Sequence, residues 1–143
     1  MLLIDYPKPE FRIKKEGEKE YIFDALRKKW LLLTPEEWVR QNFLQYMILV
    51  KKYPASLIAV EKEIELVDLK KRFDIVLYKN AKPWMMVECK ETTVALDRKV
   101  LDQILRYNMS LKVPYLVITN GSYCYAFAVV ENKLEEINDL PEI

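Results

Sequence analysis

Apolar residues recur along this chain with two different periods. After Thr34-Pro35-Glu36-Glu37, the residues Trp38, Phe43, Leu44, Met47, Ile48 and Val50 repeat at helical spacing, with Pro54 just beyond, and predict a helix from about Pro35 to Lys51. Thr34 is placed as N-cap, Pro35 as the first helical residue and Glu37 as the third, the order of a capping box. Alternation with period two then predicts strands over about Leu57–Val67, Arg72–Tyr78 and Trp84–Lys90, the last two forming a hairpin through Lys79-Asn80-Ala81-Lys82-Pro83. A second helical pattern covers about Asp97 to Leu111, with Val100, Leu101, Ile104, Leu105 and Met109 inward and Pro114 blocking continuation. Tyr115–Ile118 and Tyr123–Val130 read as two more strands around the turn Thr119-Asn120-Gly121. Ahead of all this, Phe11–Lys14 and Glu20–Phe23 predict a hairpin around Gly17. The order is that of an α/β sandwich, with residues 1–33 an N-terminal hairpin extension and 34–130 the core of a single domain.

Composition narrows the chemistry. Among 143 residues there is no histidine, and only two glycines and two cysteines, Cys89 and Cys124. Histidine-based triads and dyads, His-ligated zinc and a four-cysteine zinc site are therefore excluded. With glycine only at Gly17 and Gly121 there is neither a dinucleotide fingerprint nor a P-loop, and no nucleotide binding is expected. Acid–base or metal chemistry must use carboxylates and lysines. The net charge of +1 gives no bulk signal for nucleic acid, so any such evidence must be local. No apolar run reaches the roughly 18 residues of a membrane span, and the early Asp5 breaks any signal-peptide core, which points to a cytoplasmic protein with reduced, buried thiols.

The informative stretch is Arg72-Phe73-Asp74-Ile75-Val76-Leu77-Tyr78 with Trp84-Met85-Met86-Val87-Glu88-Cys89-Lys90. The odd positions are all apolar and predict a core face. The even positions are apolar or aromatic near the loop (Val76, Tyr78, Trp84, Met86) and charged at the far end (Arg72, Asp74, Glu88, Lys90). A loop symmetric about Ala81 sets Asp74 opposite Glu88 and Arg72 opposite Lys90. Like charges directly opposed across a hairpin are destabilising unless compensated, and Mg²⁺ is typically held by one or two carboxylates plus waters and phosphate oxygens. The arrangement reads as a metal seat, with Lys90 near enough to orient a bound water, stabilise developing charge or act as base.

An aspartate followed by Glu-x-Lys on the next strand resembles the PD-(D/E)XK nuclease superfamily. Thr34–Gln41, Lys71–Asp74, Val87–Lys90, Gln103 with Tyr107, and Thr119-Asn120-Gly121 together resemble the N-terminal nuclease domain of type I restriction enzyme R subunits, over about Tyr21 to Tyr125. The resemblance implies a restriction-endonuclease-like αβββαβ sandwich with a mixed central sheet, and a nuclease acting on DNA with Mg²⁺, for which Mn²⁺ would substitute. It implies that Asp74 and Glu88 bind the metal and that Lys90 positions the attacking water. Glu37, rather than Glu36, matches the acid on the first helix, although it equally fits the capping role. Gln103 and Tyr107 match the Q-x-x-x-Y signature of the RecB-like branch; their i, i+4 spacing sets both on one helix face, where they would support the metal site or touch the strand, or simply pack. A full R subunit also carries helicase motors; with no P-loop in this sequence, ATP-driven translocation is not part of the expectation.

A rival reading keeps the fold as a nucleic-acid-binding or protein-interaction module without turnover, and a third reduces the charges to structural ion pairs. Basic clusters at Arg27-Lys28-Lys29, Lys70-Lys71-Arg72, Lys79 with Lys82, and Arg98-Lys99 with Arg106 suit phosphates or plain solvent equally. A homodimer is conceivable through the Phe11–Phe23 hairpin or the Tyr123–Val130 strand as free edges.

Overall fold

The alternating N-terminal segment builds a sheet of its own. A computed structural model describes residues 1–66, 69–109 and 112–143, with the side chains of Leu66, Leu69, Ile104 and residues 107–109 left aside. Strands β1 (Ile13–Glu16), β2 (Lys19–Asp24) and β3 (Lys29–Leu32) pair antiparallel in the order β1-β2-β3. The hairpin around Gly17, at φ 64°, is as expected. The third strand was not: Lys29-Trp30-Leu31-Leu32 is too short to show a period, and pairing with β2 defines it.

Helix α1 (Pro35–Gln45) starts at the predicted cap, where Thr34 Oγ1 accepts the Glu37 N–H at 3.0 Å, and it passes into a π-helical turn over Tyr46–Val50. Val39, Phe43, Leu44 and Met47 form its buried stripe. Trp38 and Val50, expected on that stripe, are 42% and 47% exposed; Trp38 meets the Phe11 ring edge-on at 5.3 Å between centroids.

The central sheet follows in the order β4 (Ile58–Leu66), β5 (Leu69–Lys79), β6 (Lys82–Cys89), β7 (Tyr115–Thr119), β8 (Cys124–Val130), β9 (Lys133–Ile137). All neighbours are antiparallel except β6 and β7, which are parallel because α2 (Arg98–Met109) forms the crossover between them. This is the mixed sheet expected. Strand β9, whose Lys-Leu-Glu-Glu-Ile sequence reads as polar, pairs with β8, so the Tyr123–Val130 strand is not a free edge. The exposed borders of this sheet are β4 and β9.

Two apolar clusters cover the two sheet faces. Ile75, Leu77, Met85, Val87 and Cys89 pack with the α1 residues, whereas Val76, Met86 and Leu116 form the other cluster, against which Leu105 of α2 rests. Phe73 departs from the expected odd-numbered face and packs with Val76 and Met86. Trp84 departs too, packing with Tyr53 and Tyr115 on the α1 side. Two irregularities explain this. The β5–β6 turn is only Asn80-Ala81, both at positive φ as a two-residue hairpin requires, and a bulge at Leu77/Tyr78 absorbs one residue. Glu61, level with Asp74 between the pairs Val60↔Ile75 and Lys62↔Phe73, sits at φ 53°, breaking the regular pleat there.

Both cysteines are buried free thiols, and burial pushes Cys124 up to about 12. Among the described residues, no helix is long and apolar enough to cross a membrane.

Candidate metal and nucleic-acid site

The β5–β6 ladder opens where the two predicted acids stand. Its last pair on this side is Ile75↔Val87, so the register that sets Asp74 level with Glu88 is retained, but the N–H of Cys89 is bonded by Asp74 Oδ2 at 2.8 Å. Lys90 lies just past β6, and its N–H donates to Thr119 O at 2.8 Å. Because Cys89 is paired with Thr119 across the parallel strands, the acids and Lys90 gather at the carboxyl ends of β6 and β7, where open α/β sheets commonly bind ligands. The expected opposition of Arg72 and Lys90 does not form. Arg72 is exposed and level with Glu63 on β4, and it is Lys71 that reaches the acids, its Nζ 3.6 Å from Glu88 Oε1. The break in the pleat at Asp74 puts Lys71 beside the Phe73 ring, 4.9 Å from its centroid, on the Glu88 side of the sheet.

Glu88 is 8% exposed, and its Oε1 is buried without a hydrogen-bond partner, since 3.6 Å exceeds hydrogen-bonding reach. Burial, reinforced by the Asp74 charge, raises its carboxyl to about 7 against the opposing pull of Lys71 and Lys90. Such a group gains by meeting a cation. Two carboxylates, one of them with an orphaned oxygen, suit Mg²⁺, which keeps several waters; among the described residues no group of three His, Cys, Asp or Glu is placed to hold an ion.

Sequence reading overlooked a buried arginine. Arg40 is 5% exposed on α1; its Nη1 donates to Glu37 Oε1 at 2.7 Å, and its Nη2 to Asp74 Oδ1 at 2.8 Å and Glu36 Oε1 at 3.3 Å. Glu61 Oε1 lies 3.4 Å from Arg40 Nη1, and Glu61 Oε2 accepts from Arg27 at 2.9 Å. Arg27 also clasps Asp24, which Gln41 joins to Glu37. Burial pushes Asp24 up, but the bonds from Arg27 and Gln41 outweigh it and hold the carboxyl below its usual range. The three-stranded sheet is thereby keyed to the acids through polar groups. The signal was present in the sequence: Arg40 continues the i, i+3/i+4, i+7 row of Phe43, Leu44 and Met47, a charge on an apolar stripe.

Glu37 thus holds its predicted cap through its backbone, while its carboxylate is turned to Arg40 and Gln41. Glu36 faces a different neighbourhood. Burial and then the Asp74 charge raise its carboxyl, while Arg40 and Lys90 pull it down. Gln103 is exposed on α2, and the Tyr107 side chain lies outside the described residues.

Gly121 closes the turn beside this site at φ 91°, where an added Cβ would stand 3.3 Å from both Thr92 Cγ2 and Val39 Cγ2. Gly121→Ala is expected to destabilise the fold by about 1–3 kcal/mol, read as a fall in urea midpoint with unchanged slope; an unaltered midpoint would refute the fit.

No curated protein matches the sequence at a significant level. Residues 35–141 match the family described as type I restriction enzyme R protein N terminus, a span from the start of α1 to beyond β9 that includes every site residue above except Asp24 and Arg27. The chain belongs to the family of type I restriction enzyme R protein N-terminal domains, a restriction-enzyme-related, nuclease-like domain.

Proposed function

We propose that this domain is a metal-dependent nuclease that hydrolyses DNA phosphodiester bonds. The observation that carries this reading is the opened ladder: two carboxylates, one largely buried with an unsatisfied oxygen, share the carboxyl end of β6 with a lysine. Asp74 and Glu88 would hold Mg²⁺ or Mn²⁺. The ion, when bound, supplies a polarised phosphate and a water of lowered pKa. Lys90, half-buried and tethered by its backbone to Thr119, would orient the attacking water and stabilise charge on the phosphate. Arg40 holds Asp74 in place from α1. Glu37 belongs to the same reading, as a further ligand or as the anchor of Arg40. Gln103 and Tyr107 would support the strand or the ion from α2.

Calorimetric titration with Mn²⁺ tests the seat: wild type is expected to bind, and Asp74→Ala and Glu88→Ala to lose binding. Equal binding in all three would sink the site. Lys90→Ala is expected to keep metal affinity while nicking of single-stranded, duplex and branched DNA falls at least about a hundredfold. Unchanged nicking would remove Lys90 from the mechanism, and salt-sensitive DNA retention by wild type without any nicking would leave a binding module instead.

A further inference from the structure

A cavity of ≈ 420 Å³ opens between the loop that follows Lys90 and the β7–β8 turn. We propose that it seats one unstacked base of a single-stranded DNA, making an unpaired or frayed strand the substrate class; the assignment rests on the nuclease reading for its link to cleavage. Its volume lies within the range of small-ligand sites. Its walls are fixed to one another and to the Lys90 backbone. Asn120 is buried, donating to Val94 O at 2.9 Å and accepting from the N–H groups of Ser122 and Tyr123 at 3.0 and 2.7 Å. Loop and turn are latched together, and the same turn receives the Lys90 N–H through Thr119 O.

The lining suits a heterocycle better than a phosphate. Tyr123 is 52% exposed, a large ring left open at the cavity, and Tyr125 is half-buried in its wall. Thr92 adds a hydroxyl and Thr93, whose hydroxyl donates to Glu91 Oε1, a further acceptor oxygen, while the Asp97 carboxylate is engaged as acceptor for the Val100 N–H at the start of α2 and would repel a second anion. Tyrosine faces stack bases of any sequence, and hydroxyls serve the donors and acceptors on a base edge. Only Glu91 separates Lys90 from Thr92, so their Cα atoms lie within about 8 Å, and a strand with its phosphate at Lys90 can turn a base into the cavity. A base stacked in intact duplex would first have to be extruded.

Fluorescence anisotropy in a chelating buffer, with no cleavage read, tests the cavity. The probes are labelled oligothymidylate and an abasic strand of equal length. Wild type is expected to bind the base-bearing strand about tenfold more tightly. Tyr123→Ala is expected to bring the two affinities to equality and Tyr123→Phe to keep the difference. Equal affinities in wild type, or a preference that survives in Tyr123→Ala, would overturn the proposal. Failure of the nuclease reading is separately visible: base preference without metal-dependent nicking spares the cavity, whereas nicking without base preference refutes the cavity alone.

Discussion

Replacing Arg40 with methionine is expected to lower the unfolding free energy by about 3–5 kcal/mol, the usual consequence of removing one partner from a buried ion pair. The guanidinium serves Glu37 and Asp74 through separate nitrogens, with Glu36 and Glu61 beside it, in a place where water cannot substitute. Methionine fills the volume but leaves those carboxylates facing one another. Arg27 still reaches Glu61 and, at 3.8 Å, Glu37, so the uncompensated charge falls chiefly on Asp74. Arg40→Lys should recover only part of the loss, because one ammonium cannot reproduce a planar fork between two carboxylates. In a double-mutant cycle, Arg40→Met with Asp74→Asn should lose less than the sum of the single changes, with a coupling of about 0.5–3 kcal/mol. A loss below about 1 kcal/mol, as for a solvent-exposed pair, would show that the network carries no stability.

The same residue shows how far the sequence could be read. Periodicity found α1, α2 and most strands of the central sheet, because those elements bury one face each. It missed Lys29–Leu32 and Lys133–Ile137, which owe their strand geometry to pairing partners. The Asp74–Glu88 register emerged from an incorrect turn: a symmetric five-residue loop and a two-residue turn with one bulge give the same pairing at Ile75↔Val87. The break at Asp74 was hidden because Phe73 is apolar and fits either face, so Arg72 was expected where Lys71 stands. Asp74, Glu88 and Lys90 were legible as a motif; Arg40 was legible only as a charge on the α1 stripe, and its partners Glu61 on β4 and Asp74 on β5 are brought to it by the fold.

Glu88→Gln is expected to stabilise the metal-free domain at pH 8 by up to about 3 kcal/mol while abolishing nicking. With the carboxyl raised from its ordinary 4.5 to about 7, the folded chain holds a proton that the unfolded chain has released across that window. Stability therefore falls as pH rises from about 4.5 to about 7 and stays low above it; at pH 4 both states are protonated and wild type and variant should converge. Glutamine cannot ionise, so it escapes the penalty, less about 1–3 kcal/mol if its amide is left unpartnered. Urea unfolding with chelator across pH 4 to 8 reads this directly. A variant less stable than wild type at pH 8 would mean that Lys71 and Lys90 already hold Glu88 ionised and at ease. Added Mn²⁺ should raise wild-type stability at pH 8 and leave the variant unchanged, and in wild type near pH 6 binding should release a proton. Destabilisation by an essential carboxylate, relieved by the cation it binds, would distinguish a metal seat from a structural ion pair, for which the same substitution costs stability at every pH where the pair is charged.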